Sequence, residues 1–311
     1  MNIGYWLSSE EHSPRDLVAN AKRAEDAGFD HLLISDHFHP WVDEQGNSPF
    51  VWSVIGGIAS ATQRIGLGTA VTCPLIRIHP AIVAHAAATV AAMMPGRFFL
   101  GVGTGENLNE HVHGDKWPAP DVRLAMLDEA IDVMRELWQG DYQTHRGKHY
   151  SVEQARLYTL PDEPPPIVVA AAQPKAAKLA GEKGEGYMNT TPDREIVKTF
   201  EEAGGIGARY GKVTVVFVDS MDEAKRIAKE RWPNQALGGS LSQDLALPRD
   251  FEAASQTVRE EDLEESIVLG TDLEAIKDKI KEFEDAGFTH VALHDITERQ
   301  QEFIEFAKRL L

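Results

Sequence analysis

The segment Ser35-Asp36-His37-Phe38-His39-Pro40-Trp41 brings a carboxylate, an imidazole and an indole to the end of an apolar run, His31–Ser35. An imidazole titrates near neutrality and can take a hydroxyl proton while hydride leaves the same carbon. Asp36 is placed to orient that ring or to contact a cofactor, and Trp41 offers a flat apolar wall with one hydrogen-bond donor. A second segment, Gly101-Val102-Gly103-Thr104-Gly105-Glu106-Asn107-Leu108-Asn109-Glu110, follows the apolar run Phe98–Val102. It is not a dinucleotide fingerprint, because Glu106 stands where G-x-G-x-x-G needs its third glycine. Its glycines read as room for a flat ring system against the backbone, with Glu106 as a rim acid and Asn109 as a hydrogen-bonding group at a ring edge. Thr69–Pro74 and Ala170–Lys175 replace bulk with small residues where two more runs end. Pro174 opens a helix whose first amides, with Lys175, suit a phosphate.

Eight apolar runs must position these groups: Ile3–Leu7, His31–Ser35, Ile65–Val71, Phe98–Val102, Ile167–Ala171, Gly186–Asn189, Val213–Val218 and His290–His294. Continuous apolar strands are buried on both faces, which is the pattern of a parallel sheet covered by helices. Ser13 and Pro14 start a helix that runs to Gly28, and Leu124, Leu127, Ile131, Met134 and Leu137 mark another from Asp121 to Trp138. Asp222–Arg231, Asp272–Ala286 and Glu298–Leu310 read the same way. The phrases Ala24-Glu25-Asp26-Ala27-Gly28-Phe29-Asp30-His31 and Phe283-Glu284-Asp285-Ala286-Gly287-Phe288-Thr289-His290 nearly repeat, each joining a helix end to a strand. Eight strand–helix alternations predict an α/β fold, a (β/α)₈ TIM barrel, rather than an open Rossmann-type sheet. Residues 1–311 read as one domain, with insertions at about 107–120 and 141–166 after the fourth strand and 232–265 after the seventh. Long insertions in a compact domain serve as lids or interface arms.

A formal charge of −18 excludes general nucleic-acid binding, which needs clustered Lys and Arg. No apolar run is long enough to cross a bilayer, and Met1-Asn2-Ile3-Gly4-Tyr5-Trp6 lacks the basic region of a signal peptide. With Cys73 as the sole cysteine, no internal disulfide forms and a cytoplasmic location is expected. His111 with His113, and His145 with His149, are the nearest approach to a metal pattern, but the second pair flanks Arg146-Gly147-Lys148 and no H-E-x-x-H occurs, so no metal is expected. Neither a G-x-S-x-G elbow nor a P-loop is present.

Ser35 through Trp41, Gly68-Thr69-Ala70-Val71, Met94-Pro95-Gly96-Arg97-Phe98 and Gly101 through Glu110 together resemble the luciferase-like monooxygenase superfamily, closest to its F420-dependent glucose-6-phosphate dehydrogenase group. The resemblance covers nearly the whole chain. It implies a luciferase-like barrel, usually a homodimer, that binds coenzyme F420, a deazaflavin, at the C-terminal ends of its strands. It assigns His37 as catalytic base, Glu106 as acid near N1 of the ring, and Trp41 as stabiliser of the reaction centre. Asp36, Thr104, Gly105 and Asn109 become cofactor contacts, Ala70–Val71 a non-proline cis peptide behind the ring, and Ala171, Ala172 and Pro174 the loop around the phosphate tail.

The departures bear on the substrate. The group holds a sugar phosphate with basic residues, whereas this chain has Asp193, close after Thr190, where a lysine is expected and Glu265 where an arginine is expected. Carboxylates there oppose a dianion. The expectation is an F420-dependent dehydrogenase acting on a CH–OH group of a small-molecule substrate, a non-phosphorylated alcohol or sugar. Its rivals are a flavin mononucleotide-dependent monooxygenase, a glucose-6-phosphate dehydrogenase proper, and a non-catalytic deazaflavin carrier or sensor.

Overall fold

The computed structural model describes residues 1–311. Parallel strands β1 (Asn2–Leu7), β2 (His31–Ile34), β3 (Gly66–Thr69) and β4 (Phe98–Val102) pair in sequence. The hairpin β5 (Gln143–Arg146) and β6 (Ser151–Ala155) stands apart. Strands β7 (Ile167–Ala170), β8 (Gly186–Met188), β9 (Ala208–Val216) and β11 (His290–Asp295) then complete a closed eight-stranded barrel. It closes where β11 pairs with β1, Asn2 lying beside His290. Short β10 (Ile267–Leu269) extends the pairing along the far end of β9.

Helices α1 (Pro14–Ala27), α2 (Val51–Ala61), α3 (Pro80–Met93), α4 (Asn107–Glu110), α5 (Pro120–Leu137), α6 (Pro174–Lys183), α7 (Arg194–Glu202), α8 (Met221–Arg231), α9 (Leu241–Asp244), α10 (Pro248–Ser255), α11 (Glu260–Glu264), α12 (Leu273–Asp285) and α13 (Gln300–Ala307) follow in chain order. None is long and apolar enough to cross a membrane.

Alternation along each strand divides the apolar side chains between two layers. Tyr5, Leu7, Leu32 and Ile34 face the helical shell, within a continuous core that includes Leu17, Ile55, Val83 and Ile131. Trp6, Leu33, Phe99, Val168, Met188, Tyr210 and Ala292 fill the barrel interior. The interior is therefore a packed plug, and reactive groups have room only at the mouth.

Local chemistry explains the elements. Ser13 caps α1 by accepting from the Asp16 amide, and Pro14 supplies its first turn. The repeated phrases adopt one geometry: Gly28 and Gly287 both have φ of +99°, which an L side chain would strain. Each turn then buries its phenylalanine, Phe29 or Phe288.

Three details differ from the sequence reading. The seventh barrel strand starts at Ala208, not Val213, because Ala208–Tyr210 pair with β8. The 141–166 insertion carries two strands not read from the sequence, the β5–β6 hairpin. The 232–265 insertion is helical, and it folds back on the mouth: Phe251 is fully buried and meets the Trp41 ring edge-on at 5.2 Å.

Candidate active site

His37 and Trp41 emerge together where β2 ends, their rings 5.1 Å apart. Glu10, just past β1, points its Oε1 at His37 Nε2 across 3.4 Å, and both side chains are almost completely buried. Burial opposes charge on Glu10, but His37 and a hydrogen bond from Ser35 hold its pKa below the usual carboxylate value. His37 Nδ1 has two neighbours that favour opposite tautomers: the His39 carbonyl at 3.1 Å accepts, and Asn109 Nδ2 at 3.2 Å donates. With the proton on Nδ1, Nε2 is the basic atom, and an imidazolium formed there sits beside a carboxylate. Sequence reasoning missed Glu10. The rule that singled out the end of β2, applied to Ser8-Ser9-Glu10-Glu11-His12 at the end of β1, would have found it.

Asn109 ties the two halves of the site together. Its Oδ1 accepts from the Phe38 and His39 amides at 2.8 and 3.2 Å, which fixes the amide orientation. Its Nδ2 lies 3.4 Å from Glu106 Oε2 as well as beside His37. Glu106 is half-buried at the start of α4. One short helical turn thus presents an acid to the mouth and positions the base.

Asp36 is committed within the protein. Its Oδ2 accepts from Thr72 Oγ1 and its Oδ1 from Arg77 Nη2, each at 2.8 Å. Arg77 also faces Glu110 at 3.5 Å, and the side chains of all three are buried. Asp36 therefore anchors the loops after β2 and β3 and reaches a ligand only through them. Burial raises the Glu110 pKa even against the Arg77 and Ile76 amides and the guanidinium.

The peptide between Ala70 and Val71 is cis, and both residues pack on the interior cluster. The nearby glycines have a different reason from the one the sequence suggested. A Cβ on Gly101 would lie 1.8 Å from the Thr69 carbonyl oxygen, one on Gly103 2.7 Å from Val71, and one on Gly105 2.5 Å from Cys73 Sγ. The side that their Cβ atoms would occupy is filled by the chain at and after the end of β3. Gly101→Ala should accordingly cost about 1–3 kcal/mol of stability, read from the urea midpoint. Gly96→Ala, with open space around it, tests only its positive φ.

At the rim, Thr104 and Gly105 are half-exposed, Ala171 is buried and Ala172 is exposed. Pro174 opens α6, whose first amides receive no side-chain cap from Gln173, and Lys175 pairs with Asp121 at 2.7 Å. Thr190 is exposed. Asp193 caps α7, its Oδ1 accepting from Glu195 and Ile196. Glu265 is exposed at the end of α11. None of these last three touches His37 or Glu10. His145 lies between Glu129 and Glu136, at 3.3 and 3.0 Å, rather than with His149. A cleft of about 490 Å³ lined by Val18, Phe50 and Val54 lies on the helical shell, and no histidine or carboxylate lines it.

A second polar group fills the side of the mouth formed by β1, β9 and β11. Glu11 accepts from His294 Nε2 and Trp232 Nε1, each at 2.8 Å. Burial opposes its charge, yet these partners hold its pKa down to about 2. Lys212, on β9, lies between the Trp6 and Trp232 rings, 4.9 Å from each centroid. Lys212 was not singled out from sequence, because nothing local marks which face of β9 turns inward.

The whole architecture has known counterparts. A family model described as luciferase-like monooxygenase matches residues 1–290. The chain is 35% identical to an F420-dependent glucose-6-phosphate dehydrogenase of Beutenbergia cavernae, over 100% of this chain and 96% of that one. It is also 35% identical to one of Mycobacterium avium, over 99% and 96%. Among solved structures it superposes on an F420-dependent secondary alcohol dehydrogenase in complex with an F420-acetone adduct, with a TM-score of 0.93 and 31% identity, over 100% and 98% of the two chains.

Proposed function

The chain belongs to the luciferase-like monooxygenase family, and from that premise we propose that it is a coenzyme F420-dependent dehydrogenase. It moves a hydride between a substrate CH–OH carbon and the deazaflavin. The observation that carries this reading is the buried Glu10–His37 pair beside Trp41, with Asn109 joining His37 to Glu106. An alcohol can lose hydride only as its hydroxyl proton leaves, and this pair is built to take that proton.

The donor set fits the cofactor. Thr104, Gly105, Asn109 and Glu106 line the mouth on one side, the Ala70–Val71 peptide lies behind, and Ala171, Ala172 and Pro174 lead to the uncapped start of α6, where backbone amides suit an anionic tail. Bound there, F420 supplies the hydride acceptor at C5 of its deazaflavin ring. His37 Nε2 removes the hydroxyl proton, and Glu10 stabilises the resulting imidazolium. Glu106, the rim acid, would offset negative charge developing on the ring. Trp41, backed by Phe251, keeps water from the reacting carbon on the insertion side. Asp36 would act one step back, holding Thr72 and the loop after β3 in place.

The substrate is a small non-phosphorylated alcohol or sugar. Asp193 and Glu265 offer no cation to a phosphate dianion, although Asp193 spends its carboxylate on α7 rather than on an acidic wall. The family resemblance and the lone buried Cys73 favour a cytoplasmic homodimer.

Titrating intrinsic tryptophan fluorescence with F420, flavin mononucleotide and NADP tests the cofactor. F420 should bind tightest, and tighter flavin binding would move the chain to the monooxygenase reading. Binding of F420 with no turnover across an alcohol panel would favour a carrier. In that panel glucose-6-phosphate should be the poorer substrate beside glucose and secondary alcohols, judged by kcat/KM.

A further inference from the structure

Lys212 is the cation that the barrel turns toward its own mouth, and no part of the proposed reaction uses it. It follows Ala208 and Tyr210 along the inward face of β9, and its ammonium lies over Trp6, itself part of the interior plug. Its ammonium sits between two indole faces yet makes no hydrogen bond and no ion pair. Lys212 is half-buried, so its three N–H donors are left open to water or to a ligand at the mouth. The usual partner, an adjacent carboxylate, is withheld: Glu11 is consumed by His294 and Trp232, and Glu10 by His37, Ser8 and Ser35. These carboxylates still act at longer range. Burial lowers the Lys212 pKa to about 8, and Glu10 and Glu11 pull against that fall.

A chain of contacts also links Lys212 to His37. Trp232 bridges Lys212 to Glu11, whose neighbour Glu10 faces His37 Nε2. Trp41 packs against the same cluster as Trp232. Resting on the dehydrogenase reading, we propose that Lys212 is a specificity-determining residue, its ammonium donating to a second, neutral oxygen of the substrate next to the carbon being oxidised. The favoured substrates are then vicinal diols and polyols rather than simple secondary alcohols. A neutral oxygen fits better than an anion, since Glu10 and Glu11 already outnumber Lys212 in charge and a further carboxylate or phosphate would add to the excess. A pocket that hydrogen-bonds a substrate oxygen discriminates strongly against the analogue lacking it, because its own donor is then left unpaired.

The test compares 1,2-propanediol with 2-propanol as substrates of the full chain with F420. The wild type should favour the diol in kcat/KM. Lys212→Met, which keeps an apolar stem between the indoles, should lower the diol-to-monoalcohol ratio about 10-fold or more, the size of one hydrogen bond to a charged group. Lys212→Gln, which restores a neutral donor, should recover part of the ratio. A cofactor-free readout separates this inference from the cofactor assignment: quenching of tryptophan fluorescence by 1,2-propanediol should weaken in Lys212→Met whether or not F420 binds. A wild type that treats both alcohols alike, or a Met variant with an unchanged ratio, overturns the proposal.

Discussion

Replacing His37 with alanine should lower kcat/KM for alcohol oxidation by ~10²–10⁴-fold while F420 affinity stays within a few-fold. The expectation follows from what surrounds the imidazole. Its Nε2 faces Glu10 at 3.4 Å in a nearly water-free setting, so the imidazolium formed on proton uptake is stabilised where it forms. Solvent offers no equivalent base at that point, and most of the proposed cofactor contacts lie along β3, β4 and α6 instead. Stopped-flow measurement of deazaflavin reduction reads the chemical step, and fluorescence titration reads binding. Glu10→Gln should give a smaller loss in the same step, since it keeps the shape beside Nε2 but removes the charge. Glu106→Gln should slow reduction by a similar ~10²–10⁴-fold if that group serves as the acid. Near-normal reduction in His37→Ala would remove the proposed base from the mechanism.

Arg77→Met should be the most damaging substitution for stability outside the apolar core, at about 3–5 kcal/mol. The side chains of Arg77, Asp36 and Glu110 are 6%, 0% and 0% exposed, so the change strands two carboxylates with no solvent to relax them. A loss of that size is a large share of the roughly 5–15 kcal/mol that holds a domain folded. The pH dependence has a definite sign. Glu110 is already raised by burial, which outweighs Arg77. Without the guanidinium Glu110 should rise further above its unfolded value. The variant's penalty from Glu110 is then present at neutral pH and shrinks as pH falls and that group protonates in either state. Urea melts at pH 7 and near pH 5 would measure this, and a deficit that grows on acidification would show that the ion network is not its origin. Adding Asp36→Asn to Arg77→Met should recover part of the loss, because one stranded charge is gone.

Much of this protein was legible in its residues alone. The apolar runs are buried on both faces, so the parallel barrel followed from their continuity, and Gly28 and Gly287 marked helix-to-strand turns because few other residues tolerate their backbone. His37, Trp41, Glu106 and Asn109 stood at strand ends, where a barrel with a packed interior must keep its chemistry. What only the tertiary structure decided depends on contacts between distant segments. Glu10 meets His37 because β1 and β2 are neighbours, and Asp36 meets Arg77 because the loops after β2 and β3 cross. Gly101, Gly103 and Gly105 also make room for Thr69, Val71 and Cys73, which no local pattern signals. Lys212 gained its place from the inward face of β9 and from Trp232, which the insertion brings back over the mouth. Sequence periodicity determines which residues can share a layer. Which charge faces which across the barrel is set by closure of the sheet, and closure has no local signature.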